Sequence, residues 1–285
     1  MYLLDRATKL ENGERIVRSY LIEDDEVRYV NESFRKWIGM RVSMAGTIMM
    51  NGRVMLANSL LRCETVDVFH EEQMQLLKKG CTTFAVAPDL YYENNFESVF
   101  QRAKHRLINS TLDFIIGCTI PVRLLKPRFI QKCQKRRIPF LRIAIDQREQ
   151  LDAIPWAYLS TLLLSYPIVL IPKTDEQEIL QRWFDYCDRY QIHTSKPIDD
   201  YEVWDKSLLQ KVGLYPKKGA FLVGSNADYL LFPENEIDLD EPAIVIIRGK
   251  IVKDGERCRR RPGFGKLIDI KRPSQFLSID YIEHL

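Results

Sequence analysis

TTFAVAP, residues 82–88, is the first of four short and nearly all-apolar segments that decide the fold. The others are DFIIGCTI (113–120), PFLRIAI (139–145) and PIVLIP (167–172). Apolar strands of this length that alternate with helices are typical of βαβ units, whose parallel sheet is buried on both faces. The sequence therefore predicts an α/β fold. The helical stretches around these strands are expected at 70–79, 96–109, 127–136, 155–165 and 176–190.

Both ends of the chain favour strands instead. Near the amino end, 15–21 and 26–30 have strand character, and two further apolar segments, 41–50 and 53–61, meet at Asn51-Gly52. Asn-Gly between apolar runs predicts a hairpin, because both residues tolerate a positive φ. After Pro197, a helix is expected over 200–212, ending at Gly213. Short strands are then expected at 219–222, 229–232 and 243–248.

Composition excludes several classes of protein. The 285 residues carry 42 basic and 39 acidic side chains, and a net charge of +3 is too small to indicate nucleic-acid binding. No apolar run approaches the ~20 residues of a membrane helix, and the first residues have no apolar signal core. We expect a cytoplasmic protein without a membrane segment. The six cysteines form no C-x-x-C pair, which favours free thiols over a zinc ribbon or a redox motif.

Two basic clusters, 123–137 and 257–261, are the exceptions to this even charge. Such clusters are usually solvated surfaces, and an acidic protein partner or nucleic acid is the alternative. The clusters contain no stacking platform of aromatic residues interleaved with the charge, which argues against nucleic acid.

Three C-terminal segments, taken in order, resemble a known family. GLYPKKGAFLVGSNADYLLF (213–232), AIVIIRGKIVKDGE (243–256) and RPGFGKLI (261–268) are similar to the end of the cyclic-amide hydrolases, which are the dihydroorotases and hydantoinases of the amidohydrolase superfamily. At the other end, YLIEDDEVRYV and AGTIMMNGRVM resemble the family's first hairpin and the segment that leads to its metal ligands.

The resemblance implies a fold in two parts. Residues 1–44 and 212–272 would form a small composite β-sandwich, and residues 45–211 would form an incomplete (β/α)8-type, TIM-like barrel. Only five or six barrel strands can be counted, so the barrel would be shortened. Because an open barrel exposes sheet edges, we expect a partner chain, most simply a second copy in a homo-oligomer, to cover them.

The resemblance also implies a metal centre, for which this sequence lacks ligands. The family's H-x-H position corresponds to Asn51-Gly52-Arg53, its carboxylated lysine to Arg142, and its next histidine falls within 171–173. His193 is the one histidine that could match a later ligand. Arginine carries a fixed charge that repels a cation. We therefore predict no metal cofactor, with zinc as the alternative.

Other side chains could still form a site where the strands end, since barrels of this type place their chemistry there. Arg53 and Arg142 would together suit a small carboxylate or phosphate, with Asn51 and Asp146 beside them, unless each arginine pairs with a local carboxylate. Cys118 and His193 are the catalytic candidates. The full set expected to line a pocket is Asn51, Arg53, Pro88, Asp89, Cys118, Arg142, Asp146 and Lys173.

Three hypotheses on function follow. The first is a degenerate amidohydrolase-like protein that has lost metal-dependent hydrolysis and acts by binding or assembly. The second is a hydrolase of C–N bonds in cyclic amides. The third is a sensor of small anions that uses Arg53 and Arg142.

Overall fold

The computed structural model describes residues 1–11, 13–235 and 239–270, and the statements below concern these residues. The helices are α1 (Val66–Lys78), α2 (Phe96–Arg106), α3 (Pro127–Lys135), α4 (Trp156–Leu163), α5 (Gln177–Arg189) and α6 (Lys206–Val212). The strands are β1 (Tyr2–Glu11), β2 (Glu14–Glu23), β3 (Glu26–Asn31), β4 (Arg41–Ser43), β5 (Thr47–Asn51), β6 (Arg53–Leu56), β7 (Cys81–Val86), β8 (Asp113–Ile116), β9 (Cys118–Pro121), β10 (Phe140–Ala144), β11 (Val169–Lys173), β12 (Tyr229–Pro233), β13 (Ile244–Ile247), β14 (Lys250–Asp254) and β15 (Arg257–Cys258).

Both ends of the chain build one composite sheet. Its strand order is β15-β14-β13-β12-β5-β1-β2-β3, and β4 pairs with β1. Strand β5 links the two halves, because it runs parallel to β1 and antiparallel to β12. The composite sheet therefore extends past the expected boundary at residue 44, and the parallel strands begin at Arg53.

The hairpin predicted at Asn51-Gly52 is wrong, because β5 and β6 belong to different sheets. Gly52 is needed there for close approach and not for a turn. Its N–H donates to the Asp228 carbonyl over 3.1 Å, and a Cβ would lie 2.4 Å from the Thr82 hydroxyl. The chain can consequently pass from β5 in the composite sheet to β6 at this point because residue 52 has no side chain.

The apolar segments form the parallel strands that their sequence predicts. Strands β6, β7 and β8 pair in parallel, as do β9, β10 and β11. Only Gly117 separates β8 from β9, and its N–H donates to the Val86 carbonyl over 2.8 Å. Helices α1 to α5 alternate with these strands, which confirms the predicted α/β class.

Helix α6 has a clear signal at each end. The Asp205 carboxylate accepts a hydrogen bond from the Leu208 N–H over 2.7 Å, and Gly213 adopts the left-handed conformation at φ 83°. Both are common ways to satisfy the free backbone groups of a helix end. The helix ends where the sequence predicts, but it begins six residues later than expected, because 199–204 are non-helical and contain a turn at Asp200 and Tyr201.

Residues 199–204 cover an edge of the parallel strands. The N–H groups of Tyr201 and Trp204 donate to the carbonyls of Leu56 and Val54 in β6, each over 2.8 Å. At the opposite edge, Leu170 in β11 donates to the His193 carbonyl over 2.9 Å. The chain itself thus covers the edges that motivated a second copy, and the homo-oligomer stays a prediction.

The same segment and α6 fill the inner face of the parallel strands. The Trp204 ring packs edge-on against Phe140 of β10, with the ring centroids 5.3 Å apart. The inner face is therefore a packed core and not an open channel. Its other buried members include Val54, Leu56, Ala85, Ile115, Val169, Ile171, Leu208, Leu209 and Val212.

Within the three described ranges, none of the helices has the length and apolar character needed to cross a bilayer.

Candidate functional site

A cavity of about 270 Å³ opens at the carboxyl ends of the parallel strands. Side chains alternate along a strand, so residues two apart point to the same face of the sheet. Polar residues in or just after five of the six parallel strands line the cavity, namely Asn58 after β6, Asp89 after β7, Thr119 in β9, Arg142 in β10 and Lys173 in β11. The remaining wall consists of Leu61, Arg62, Ala87, Pro88, Val99, Arg102, Ala103 and Arg106.

Positive charge dominates this cavity. Five of its lining residues are cationic, namely Arg62, Arg102, Arg106, Arg142 and Lys173, and Asp89 is the one carboxylate in the lining. Arg102 and Arg106 are one turn apart on α2, so they share a face of the helix. Arg106 is tied to the wall, because its Nη1 donates to the Leu61 carbonyl over 2.5 Å.

Arg142 is the cation nearest the core. Its Nη2 donates to the Ile198 carbonyl over 2.8 Å, whereas its buried Nε has no hydrogen-bond partner among the described residues. Burial lowers the pKa of this guanidinium, and the charges of Asp200, Asp199 and Asp89 oppose that shift. Arginine stays protonated in proteins, so Arg142 offers a charged donor that is only partly satisfied.

Asn58 and Asp200 fix the neighbouring wall. The Asn58 Oδ1 accepts from the Ala87 N–H over 2.7 Å, while its Nδ2 and backbone N–H donate to one Asp200 oxygen over 3.2 and 3.1 Å. Both functional ends of the Asn58 amide are therefore engaged. Asp200, which lies between α5 and α6, thereby joins that segment to the chain just after β6.

The donor set at the cavity does not fit a divalent metal ion such as zinc. Zinc prefers imidazole, thiolate and carboxylate ligands, whereas Arg142 places a guanidinium where the family resemblance expects a carboxylated lysine. The first parallel strand ends at Leu56, and the engaged amide of Asn58 follows it. Within the described ranges, no three His, Cys, Asp or Glu side chains are grouped closely enough to hold a metal ion.

The two arginines predicted to share a site lie at opposite ends of the parallel strands. Arg142 lines the cavity. Arg53 starts β6, and its guanidinium donates to the carbonyls of Lys79 over 2.9 Å, Asp240 over 2.7 Å, and Leu239. Arg53 is thus a tie between β6 and the chain around 240, and the charged neighbour of Arg142 on the strands is Lys173.

Of the other residues expected to line a pocket, Pro88 and Asp89 do so. Asn51 lies in β5, where it pairs with Tyr229. Asp146 is exposed beyond the end of β10, and its N–H donates to the Gln150 side chain over 3.3 Å. Neither Asn51 nor Asp146 contributes to the cavity.

The two catalytic candidates also lie outside the cavity lining. Cys118 is fully buried, and burial raises the pKa of its thiol to about 12. A thiol with such a pKa is not a nucleophile near neutral pH. His193 is half-buried, and its carbonyl pairs with β11.

A buried ion cluster at the amino ends of the strands escaped the sequence analysis. The Lys218 Nζ lies 2.5 Å from Asp113 Oδ2 and 2.6 Å from Asp228 Oδ2, and all three side chains are at most 1% exposed. The Arg248 Nε lies 3.3 Å from the same Asp113 oxygen. Burial opposes the charge on Lys218, but the attraction of Asp228 and Asp113 outweighs it and raises the pKa of the amine. An acid opening an otherwise apolar strand, as Asp113 does, was the available signal.

The sequence matches no protein-family model and no curated protein, whereas solved structures do match. A dihydropyrimidinase from Brevibacillus agri aligns with a TM-score of 0.61 at 9% identity, over 95% of this chain and 99% of that chain. A D-hydantoinase from Thermus sp. gives 0.61 at 10% identity, over 96% and 99%. Atrazine chlorohydrolase from Arthrobacter aurescens, complexed with zinc, gives 0.54 at 10% identity, over 90% and 96%. At these identities the likeness concerns the fold alone: over at least 90% of its 285 residues, this chain shares the fold of these hydrolases, as the C-terminal motifs predicted.

Proposed function

We propose that this protein binds a small anionic ligand at the carboxyl ends of its parallel strands and does not perform metal-dependent hydrolysis. The observation that carries the proposal is the charge of the cavity, where five cationic side chains face a single lining carboxylate. Barrels of this kind place their chemistry at this end of the strands. The proposal revises the arginine pair predicted from sequence, because Lys173 takes the place of Arg53.

Arg142 gives the cavity its specific contact. Its partly buried guanidinium lines the cavity and can donate to a carboxylate or a phosphate oxygen there. Such a charge-assisted bond is stronger in a half-buried site than on the surface, since water screens it less. The ligand would therefore supply the guanidinium with an acceptor in addition to the Ile198 carbonyl.

The volume of the cavity limits the ligand. About 270 Å³ is below the ~300–1,000 Å³ of pockets for drug-sized molecules. We therefore expect a ligand of few atoms and not a peptide or a nucleotide.

Hydrolysis of C–N bonds in cyclic amides is the second candidate. It is favoured by the fold alone, since the solved structures that match include hydantoinases and dihydropyrimidinases. The donor set at the cavity argues against it. Turnover of hydantoin, dihydrouracil or dihydroorotate by the native protein would support the hydrolase, and metal content measured on the same preparation would show whether zinc accompanies the activity.

The binding proposal is tested by calorimetry with inorganic phosphate and with malonate at constant ionic strength. We expect binding to the native protein and at least a roughly tenfold loss for Arg142→Met, because one charge-assisted hydrogen bond contributes about 1.5–3 kcal/mol. Arg128→Met is the matched control, since this arginine is 82% exposed on α3 and does not line the cavity.

Two results would overturn the proposal. One is the absence of binding of either anion to the folded native protein. The other is equal weakening by Arg142→Met and Arg128→Met, which would mean that only the net charge matters.

A further inference from the structure

The cations of the cavity fall into two groups on different structural elements. Arg142 and Lys173 project from β10 and β11, and we refer to them as the strand pair. Arg102 and Arg106 lie on α2, and Arg62 directly follows the short helical turn Asn58–Leu61; we refer to the three as the rim trio. We propose that the ligand carries two anionic groups, one bound by the strand pair and the other by the rim trio. This inference rests on the proposed function and specifies the chemical class of its ligand.

The strand pair can hold one anionic group. Lys173 is level with Ala144 in the parallel pairing of β10 and β11, and Arg142 lies two residues before Ala144 on the same face. Strands ~4.8 Å apart and a two-residue step of ~6.6 Å place the two Cα atoms about 8 Å apart. Side chains as long as arginine and lysine can both reach an oxyanion between them from that distance.

The rim trio is held close together by the chain. Arg102 and Arg106 are neighbours on one face of α2, and Arg106 binds the carbonyl of Leu61, the residue before Arg62. In the described ranges, the side chains of Arg62 and Arg102 have no hydrogen bond or ion pair to the protein. The trio therefore concentrates positive charge without a protein carboxylate to balance it.

A ligand with a single anionic group would leave the charge of either the strand pair or the rim trio uncompensated. The rest of this wall is apolar, with Leu61, Val99 and Ala103 in the lining. An apolar wall beside two cationic groups suits a short carbon skeleton with an anionic group at each end. The expected class is thus a small organic molecule with two carboxylates, two phosphates, or one of each.

The test compares three probes by calorimetry at constant ionic strength: inorganic phosphate, glycolate and phosphoglycolate, which carries both a carboxylate and a phosphate. We expect phosphoglycolate to bind at least about tenfold more tightly than either single anion, as one added charge-assisted contact provides. In Arg62→Met/Arg102→Met, that gain should disappear while phosphate still binds. The double variant Arg128→Met/Lys250→Met removes the same charge from exposed positions and should retain the gain.

The outcomes separate the two proposals. If phosphate binds in an Arg142-dependent way but phosphoglycolate gains nothing, the two-anion ligand is wrong and the anion site stands. A gain that persists in Arg62→Met/Arg102→Met also overturns the inference. If no probe binds the folded native protein, the proposed function itself fails. Circular dichroism and thermal melts of each variant establish that it is folded.

Discussion

The two ends of the parallel strands carry the same kinds of charged side chain in opposite arrangements. At the amino ends, Lys218 and Arg248 face Asp113 and Asp228, and no side chain of the four is more than 6% exposed. At the carboxyl ends, five cations and one carboxylate line an open cavity, and Asp199 and Asp200 lie outside the lining. Balanced and buried charges bind to one another and hold elements together, whereas an unbalanced set beside a cavity can bind a ligand.

The two arginines predicted to act as a pair illustrate the same difference. The Arg53 guanidinium donates to three backbone carbonyls, so its donors serve the fold. Arg142 donates to the carbonyl of Ile198 and keeps a buried Nε without a hydrogen-bond partner in the described ranges. Residue type alone does not distinguish an arginine that ties elements together from one that can bind a ligand. The number of protein acceptors around the guanidinium does.

Lys218→Met should have the largest effect, because it removes the cation between two buried carboxylates. Breaking a buried ion pair by removing one partner costs about 3–5 kcal/mol in the free energy of unfolding. Urea denaturation followed by circular dichroism measures this loss. Lys217→Met is the matched control at the next residue, where a half-exposed lysine pairs with Glu26, and it should cost less than about 1 kcal/mol.

Equal losses of unfolding free energy for Lys218→Met and Lys217→Met would contradict this prediction. They would mean that the ion cluster at the amino ends contributes no more than a surface pair.

The effect of Lys218→Met on the unfolding free energy should also depend on pH. The pKa of Lys218 is raised in the folded protein, so its charge contributes fully below the unfolded pKa of about 10.4. The contribution is lost as the pH rises through the higher, folded pKa. The difference in unfolding free energy between the native protein and Lys218→Met should stay constant from about pH 7 to 9 and shrink above about pH 10.5. A difference that grows at alkaline pH would contradict the assignment.

Gly117→Ala should have an intermediate effect, at the junction where β8 passes into β9. A Cβ there would lie 2.6 Å from the Phe140 ring and 2.7 Å from the Phe140 carbonyl oxygen, and the backbone atom cannot move aside as a flexible side chain could. Overpacking of this kind costs about 1–3 kcal/mol. Gly255→Asn serves as the control, because nothing lies within 4 Å of its added Cβ and asparagine tolerates a positive φ.

The same denaturation measurement decides the outcome at Gly117. A loss below that of the control would mean that β10 can move away from β9, and that the inner core is looser than its packing indicates.

The elements that sequence predicted best are those with a local signal. The apolar segments at 82–88 and 139–145 became β7 and β10 within two residues at each end, because burial on both faces requires an apolar sequence. The Asn51-Gly52 hairpin failed because the partner of β5 is β12, far along the chain. A local turn signal contains no information about such long-range pairing.

The candidate site was predictable in the same uneven way. Arg142 and Lys173 could be found, since they end or interrupt apolar strands and the ends of parallel strands meet. Arg102 and Arg106 could not, because basic residues late in a helix are usually solvated, and only the packing of α2 near the strand ends turns them toward a cavity. Lys218 was equally hidden, since its partners lie 105 and 10 residues away.

Arg142→Met should have the smallest effect on the stability of the ligand-free protein, below about 1 kcal/mol. Burial disfavours the charge of Arg142, and methionine keeps the apolar stem in contact with its surroundings. The charge-assisted hydrogen bond to the Ile198 carbonyl is lost, but the cost of burying the guanidinium charge is removed at the same time, and the two effects largely offset each other. Urea denaturation in an anion-free buffer measures the effect, with Lys218→Met beside it for scale. A loss of several kcal/mol would place Arg142 with the structural cations of the amino ends, and Lys173 would then be the only member of the strand pair left to bind a ligand.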